Sequence, residues 1–311
     1  MNIDQQIWFT KHRPKVIEDL VLPDSYREKM EGYVNTRTIP HLLFAGAPGT
    51  GKTTIAHILI RAIDPDNIAT KMLNASQHRG IDTVRDIITP FAMARTRNHL
   101  KIVFLDEFDG TTKDFQDGLR NLMETHAQST RFIMTCNYIN KIEDAIQSRC
   151  TLFQFQQLPK NKVVAEAIRI LNAENVTYQE DEVFTLVEDF YPDIRKVVNS
   201  LQQHTKDGKL RYAESESLQN LFQKVAEYIQ AGKYTELVNH IASIPIDYTT
   251  VYKCLFDNAE FYFKSHNVAA IRLEIFESMY KAKFVADPIV NFLAFTIRCM
   301  RLCRITDDKI R

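Results

Sequence analysis

The chain has 311 residues, enough for two or three domains of ordinary size, and its 45% apolar and 25% charged content excludes a disordered or collagen-like polypeptide. Thirty-nine basic residues balance thirty-nine acidic ones, so the net charge advertises no polyanionic partner. No stretch approaches the roughly 18 uncharged apolar residues of a membrane span, and Met1 to Gln6 has neither the basic nor the apolar region of a secretory signal.

The five cysteines (Cys136, Cys150, Cys254, Cys299, Cys303) form no CxxC pair. They read as reduced thiols of an intracellular protein, and Cys299 and Cys303, four apart on a predicted helix, as packed thiols.

In chain order, the first predicted element is the apolar run His-Leu-Leu-Phe-Ala at 41–45, a buried strand. It runs into Gly46-Ala47-Pro48-Gly49-Thr50-Gly51-Lys52-Thr53, which satisfies the pattern G-x-x-x-x-G-K-[ST] in full. Helical spacing from Thr53 to Ala62 supplies the strand–loop–helix context that this pattern needs. Glycines let backbone amides turn toward phosphate oxygens, and the helix N-terminus adds a favourable dipole. Lys52 is then placed to reach β- and γ-phosphates, and Thr53 to offer its hydroxyl to Mg²⁺.

A local basic excess follows: Arg79, Arg85, Arg95, Arg97 and Lys101 against Asp82 and Asp86. A solvated helix face and a nucleic-acid contact explain it equally well. Helical patterns at 82–94 and 114–127 flank the strand Ile102-Val103-Phe104-Leu105, which ends in Asp106-Glu107. Downstream of a phosphate loop, Asp106 suits Mg²⁺ and Glu107 suits polarisation of an attacking water, a pairing that favours a hydrolase. A third strand, 132–135, leads to Asn137, read either as a water-orienting side chain or as a turn residue. Arg149 in Ser148-Arg149-Cys150 fits an ion pair, or a cation offered to a neighbouring subunit's nucleotide. Arg195 in Pro192-Asp193-Ile194-Arg195-Lys196 opens a later helix and is a similar case.

Alternating strand and helix implies a parallel sheet covered on both faces. After Leu152-Phe153-Gln154-Phe155 the pattern becomes helical, at 160–174, 181–190 and 193–204, with no further strand expected. Lys206-Asp207-Gly208-Lys209 marks a boundary, and 215–306 reads as helix throughout. The expected parts are an α/β nucleotide-binding domain (1–156), a small helical domain (157–208) and an all-helical C-terminal domain (209–311).

Together the phosphate loop, Asp106-Glu107, Asn137, Ser148-Arg149-Cys150 and Arg195 resemble an AAA+ ATPase of the sliding-clamp loader family. Trp8-Phe9-Thr10-Lys11-His12-Arg13-Pro14 resembles the W-x-x-K-Y-R-P opening of replication factor C small subunits, with His for Tyr. Arg79-Gly80-Ile81-Asp82-Thr83-Val84-Arg85 resembles their R-G-I-D-V-V-R segment. Thr112 to Arg120 resembles T-K-D-A-Q-x-A-L-R. Asp106-Glu107-Phe108-Asp109, Tyr191 to Lys196 and the short length resemble still more the large clamp-loader subunit of T4-like bacteriophages. The motif match covers 8–200; beyond 208 only length and helical character agree.

The resemblance implies a P-loop AAA+ domain, a helical lid and an oligomerising helical collar. It implies an ATPase that opens a sliding clamp with ATP and releases it on primer-template DNA by DNA-stimulated hydrolysis. ATP and Mg²⁺ are the implied cofactors. Lys11, His12, Arg13 and Pro14 would lie along adenine and ribose. Gly46, Ala47, Pro48, Gly49, Thr50, Gly51, Lys52, Thr53 and Thr54 would hold the phosphates, and Thr53 and Asp106 the metal. Glu107, Asn137, Arg149 acting in trans and Arg195 acting in cis would be catalytic. Arg79, Arg85, Lys113 and Arg120 would face DNA through sequence-independent phosphate contacts. Ile88 and Phe91 would meet the clamp, with core packing as the competing reading.

The implied partners are the clamp, further copies of the chain and a second loader subunit in a spiral pentamer, in the cytoplasm, or in that of the host if the chain is viral. Holliday-junction helicases and replication initiators, the alternative AAA+ class, usually append a basic recognition helix, and 215–306 contains none. Bacterial-type loader subunits carry four zinc-binding cysteines between the two ATP motifs, and this segment contains no cysteine. Intact Lys52, Glu107 and Arg149 argue against a non-catalytic scaffold.

Overall fold

The computed structural model of the protein describes residues 7–94, 100–212, 218–242, 248–263 and 267–304. Arg95 and Arg97 of the basic segment lie outside the described residues. The chain folds as two compact units, Met1–Arg211 and Tyr212–Arg311.

The first unit is built on a parallel sheet of β1 (Leu42–Gly46), β2 (Thr70–Asn74), β3 (Lys101–Asp106), β4 (Thr130–Cys136) and β5 (Thr151–Phe155), in the order β2-β3-β4-β1-β5. The helices around it are α1 (Trp8–Lys11), α2 (Asp24–Thr36), α3 (Lys52–Ile63), α4 (Ile81–Thr83), α5 (Thr89–Met93), α6 (Lys113–Thr125) and α7 (Asp144–Gln147). Strand side chains alternate between the two faces. Leu43, Ala45, Val103, Leu105, Phe132 and Met134 pack with Phe115, Leu119 and Leu122 of α6. Leu42, Phe44, Ile102, Phe104, Ile133 and Phe153 pack with Ile55, Ala56 and Leu59 of α3 and Met30 of α2. Burial on both faces is why β1, β3 and β4 appear in the sequence as continuous apolar runs.

Register decides where function can sit. Ala45 lies beside Cys136, Gly46 beside Phe155, and Asn74 beside Asp106. The C-terminal ends of β1, β2, β3 and β4 therefore open onto one rim, the place where parallel sheets bind ligands.

Several elements escape the sequence patterns, the short helices α1 and α7 among them. β2 is an edge strand with Lys71 and Asn74 in it, so it has no unbroken apolar run. α2 has a polar composition and buries only Met30. The segment expected as a plain boundary is a hairpin, β6 (Thr205–Lys206) with β7 (Lys209–Leu210). Asp207 and Gly208 form its turn with φ of 52° and 71°, as a tight two-residue hairpin requires. Two-residue strands are too short to show a period.

The helical pattern expected at 82–94 is α4, a π-helical turn Val84–Ile88 and then α5. The widened turn precedes Pro90, which lacks the amide of a regular helix. Gly118 lets α6 approach this stretch: a Cβ there would sit 2.7 Å from Ile81 Cδ1. Three further helices follow, α8 (Lys160–Ala173), α9 (Glu180–Phe190) and α10 (Ile194–His204), and belong to the same compact unit as the sheet.

His41, just before β1, gives the unit a pH signature. Its Nδ1 accepts a hydrogen bond from the Phe132 amide at 3.1 Å. Burial, then the Arg131 charge, push its pKa down to about 4. An unfolded histidine titrates near 6.5, so between about pH 6.5 and 4 the unfolded chain takes up a proton that the folded one refuses. Stability should fall as pH drops through that window, by about 1–2 kcal/mol once solvent screening of the partly exposed ring is allowed for. His41→Asn keeps an acceptor at the same place and should remove that component. Urea midpoints of both proteins at pH 7 and pH 4.5 check this; an identical loss in both would assign the pH dependence elsewhere.

The second unit contains α11 (Leu218–Ala231), α12 (Tyr234–Ala242), α13 (Tyr248–Asp257), α14 (Ala259–Tyr262), α15 (Val268–Lys281) and α16 (Pro288–Arg304). Tyr252, Phe292 and Phe295 form the aromatic centre of its core, with ring centroids 5.2–5.6 Å apart. Cys299 and Cys303 are buried in the same core. Asn291 Nδ2 donates to Tyr252 Oη and to the Ser278 carbonyl, both at 2.9 Å, which ties α13, α15 and α16 together. Among the described residues no helix is long and apolar enough to cross a membrane.

Candidate active site

A cleft of about 500 Å³ opens at the rim of the sheet, between the loop after β1, the ends of β3 and β4, the segment around Pro14 and the start of α10. The loop takes the shape its glycines allow. Gly49 has φ of 79°, and a Cβ on it would lie 2.8 Å from Asp193 Oδ1. Gly51, at φ of 91°, is the residue from which α3 starts. Lys52 is buried, and its Nζ donates to the carbonyls of Gly46 and Ala47 at 2.8 Å each. Burial above all pulls its ammonium pKa down, against the opposing pull of Asp106 and Asp109. Pro48, Thr50, Thr53 and Thr54 line the cleft with it.

One hydroxyl–carboxylate chain organises the far wall. Thr53 Oγ1 donates to Asp106 Oδ1 at 3.0 Å, and Thr135 Oγ1 donates to the same oxygen at 2.5 Å. The Glu107 amide donates to Thr135 Oγ1 at 3.1 Å. Glu107 has a left-handed backbone, φ 55°, an uncommon state for a side-chain-bearing residue. Its carboxylate accepts from Ser76 Oγ at 2.7 Å and from Asn74 Nδ2 at 3.4 Å. The Asn137 and Tyr138 amides donate to Asp109 at 3.3 Å each, pinning the turn that holds Asn137 beside Glu107 on the cleft wall. Hard oxygens from Thr53 and Asp106, side by side on the wall of an open cleft, suit Mg²⁺, which takes few protein ligands and completes its shell with phosphate and water.

Cations face this wall. Arg13 Nε donates to Thr54 Oγ1 at 3.2 Å. Arg195 lines the cleft from the first turn of α10, where Asp193 caps the helix by accepting from the amides of Arg195 (3.0 Å) and Lys196 (3.2 Å). The Arg195 charge acts on both Arg13 and Lys52.

The expected site residues therefore divide. His12, Arg13, Pro14, Pro48 to Thr54, Asp106, Glu107, Asn137 and Arg195 meet at one cleft, and Gly46 and Ala47 join through Lys52. Lys11 does not: its ammonium pairs with Glu174 at 2.7 Å, and it is not part of the lining. His12 lines the cleft, but its Nε2 also contacts Glu174. The lysine is thereby committed to the end of α8, which corrects its expected place along the base. Arg149 is absent from its own chain's cleft. It follows α7 and contacts Glu124 of α6, with Nε to Oε1 at 2.9 Å.

Arg79, Arg85 and Lys113 are exposed. The Arg79 carbonyl accepts from the amide and hydroxyl of Thr112 at 3.1 Å each, so Arg79 and the start of α6 are adjacent. Arg120 is half-buried and pairs with Asp117 at 3.4 Å. Lys101 of the basic segment is buried, with Nζ on the Phe91, Ala92 and Ala94 carbonyls; it caps α5 and belongs to no exposed patch. Ile88 is wholly buried in the sheet core and Phe91 packs half-buried against it, so Ile88 is corrected from surface contact to core. The exposed apolar residue at the end of this stretch is Met93.

Thr135, which lines the cleft and bonds Asp106, and Asn74 and Ser76, which bond Glu107, were missed by sequence reasoning, and Asp109 was read only as part of a motif. Thr135 carried a faint signal, one hydroxyl in an apolar strand. Asn74 and Ser76 carried none, because they belong to the unread edge strand and the turn after it.

Residues 42–158 match the family model of the ATPase family associated with various cellular activities (AAA). A replication factor C small subunit of Aeropyrum pernix is 42% identical over 210 residues, covering 66% of this chain and 65% of that protein. The Saccharolobus solfataricus replication factor C small subunit is 36% identical over 255 residues, covering 79% of this chain and 77% of that one. Among solved structures, the Thermotoga maritima RuvB Holliday junction branch migration motor matches with a TM-score of 0.56 at 16% identity, over 70% of this chain and 78% of that one; the likeness is one of fold. By sequence, the chain belongs to the replication factor C small-subunit family, AAA ATPase subunits of the clamp loader.

Proposed function

We propose that the chain binds ATP with Mg²⁺ in the cleft, uses that binding to hold a sliding clamp open, and hydrolyses ATP when primer-template DNA enters. What carries this reading is the meeting of Lys52, Thr53, Asp106, Glu107, Asn137 and Arg195 on one cleft while Arg149 stands on a different surface. Lys52 and the loop amides hold the phosphates. Thr53 and Asp106 would hold Mg²⁺, which supplies charge to the phosphate oxygens. Glu107 takes a proton from the water that attacks the γ-phosphorus, Asn137 orients that water, and the bond to the ADP oxygen breaks. His12, Arg13 and Pro14 flank the nucleoside.

Arg149 completes the site of the next copy. The parts are an ATPase domain 1–156, a lid 157–208 and a collar 209–311, assembled as a spiral pentamer with a second subunit type. Leu273, Phe276 and Tyr280, spaced three and four apart on α15 and each more than half exposed, suit the collar contact. Met93 and Phe91 face the clamp. We place the chain nearest the large loader subunit of T4-like bacteriophages, in the host cytoplasm, on Asp106 to Asp109 and Tyr191 to Lys196.

Arg79, Arg85, Lys113 and Arg120 face DNA in this reading, and few such cations per subunit suffice when copies repeat. ATPase activity of the assembled loader should rise when primer-template DNA and clamp are added. Charge reversal at Arg79 and Arg85 together should weaken that rise several-fold and flatten its dependence on salt. A wild-type response from the doubly reversed protein would leave these arginines as a solvated face.

A further inference from the structure

Arg195 has an aromatic seat. The Phe9 ring lies 4.9 Å from the Arg195 guanidinium carbon, and both residues line the nucleotide cleft. Among the described residues Arg195 makes no ion pair, although carboxylates line the same cleft, and its charge opposes those of Arg13 and Lys52. A ring face attracts a guanidinium through its quadrupole. A guanidinium stacked on a ring keeps its N–H donors at the edge for an oxyanion.

Phe9 is also mounted on the same body as Arg195. The Trp8 amide donates to Gln202 Oε1 of α10 at 2.9 Å, and Trp8 itself is buried. Lys11 and His12 hold Glu174 at the end of α8. α1 is thus fastened to α8 and α10, and ring and guanidinium keep their geometry if those helices shift. Two residues beyond α1, Arg13 reaches Thr54 on α3. The segment 8–13 therefore links the helices that carry Arg195 to the helix that follows the phosphate loop.

From this geometry we infer that Phe9 is a positioning residue for Arg195, holding its guanidinium over the cleft, edge donors free, for the terminal phosphates of ATP. The inference rests on the proposed role of Arg195, and the test separates the two. ATP affinity is measured by calorimetry on the full chain for wild type, Phe9→Leu, Phe9→Tyr, Arg195→Ala and Phe9→Leu/Arg195→Ala. Phe9→Leu keeps the apolar volume and removes the π face, so ATP binding should weaken about 3- to 10-fold, the scale of a partly solvated cation–π contact. Phe9→Tyr should restore it. Arg195→Ala should weaken binding more, and adding Phe9→Leu to it should change nothing further.

An equal loss from Phe9→Leu with and without Arg195 would mean that Phe9 acts by packing alone, and would overturn the inference while leaving Arg195 in place. Unchanged binding by Arg195→Ala would overturn the role of Arg195 itself, and the inference with it. Thermal unfolding of each variant identifies a folding defect, and in that case the Tyr variant against wild type decides: loss of binding in a folded Phe9→Tyr protein counts against the seat.

Discussion

Glu107→Gln is expected to bind ATP normally and to turn it over about 10²-fold or more slowly, the scale of a lost general base. The substitution keeps the shape of the side chain. It also keeps an oxygen for Ser76 and Asn74, which now hold the carboxylate at 2.7 and 3.4 Å. The left-handed backbone at residue 107 and its amide bond to Thr135 do not depend on the charge. Binding machinery, namely Lys52 and the loop, stays intact, so the loss should fall on kcat and leave ATP affinity within about two-fold. Calorimetry with ATP and a steady-state phosphate-release assay on the assembled protein measure the two quantities. Turnover close to wild type would show that another group takes the proton.

A mixing experiment should give the second large effect. Lys52→Ala removes a buried cation whose ammonium closes the loop onto the Gly46 and Ala47 carbonyls, so that protein should lose hydrolysis altogether. Arg149→Ala should bind ATP and hydrolyse it about 10³-fold more slowly, the size of a lost arginine finger. Arg149 stands outside its own cleft, on Glu124. If it serves the neighbour, an Arg149→Ala copy with an intact loop, set beside a Lys52→Ala copy with an intact Arg149, has one complete site. Co-expressed mixtures should then recover part of the ATPase activity. Mixed complexes verified by mass spectrometry that show no recovery would return Arg149 to a contact within its own chain.

Much of the nucleotide cleft was readable because its chemistry is local. Gly46 to Thr53 must be contiguous to wrap phosphate, and Asp106-Glu107 must end a strand to reach the rim. Continuous apolar runs marked β1, β3 and β4, since strands buried on both faces have no polar side to show. The helical character of the second unit was legible from three-and-four spacing alone.

Tertiary structure decided the rest. β2 depends on pairing with β3 at the sheet edge, and that pairing, Asn74 beside Asp106, is what brings Asn74 and Ser76 to Glu107. Lys11 and Lys101 are cations whose partners, Glu174 and the carbonyls ending α5, become neighbours only on folding. Ile88 has the spacing of both a core and a contact residue; only packing under α6 makes it core. The placing of Phe9 beneath Arg195 joins residues 186 positions apart, a contact that no local pattern encodes because it is made by the docking of α1 on α10.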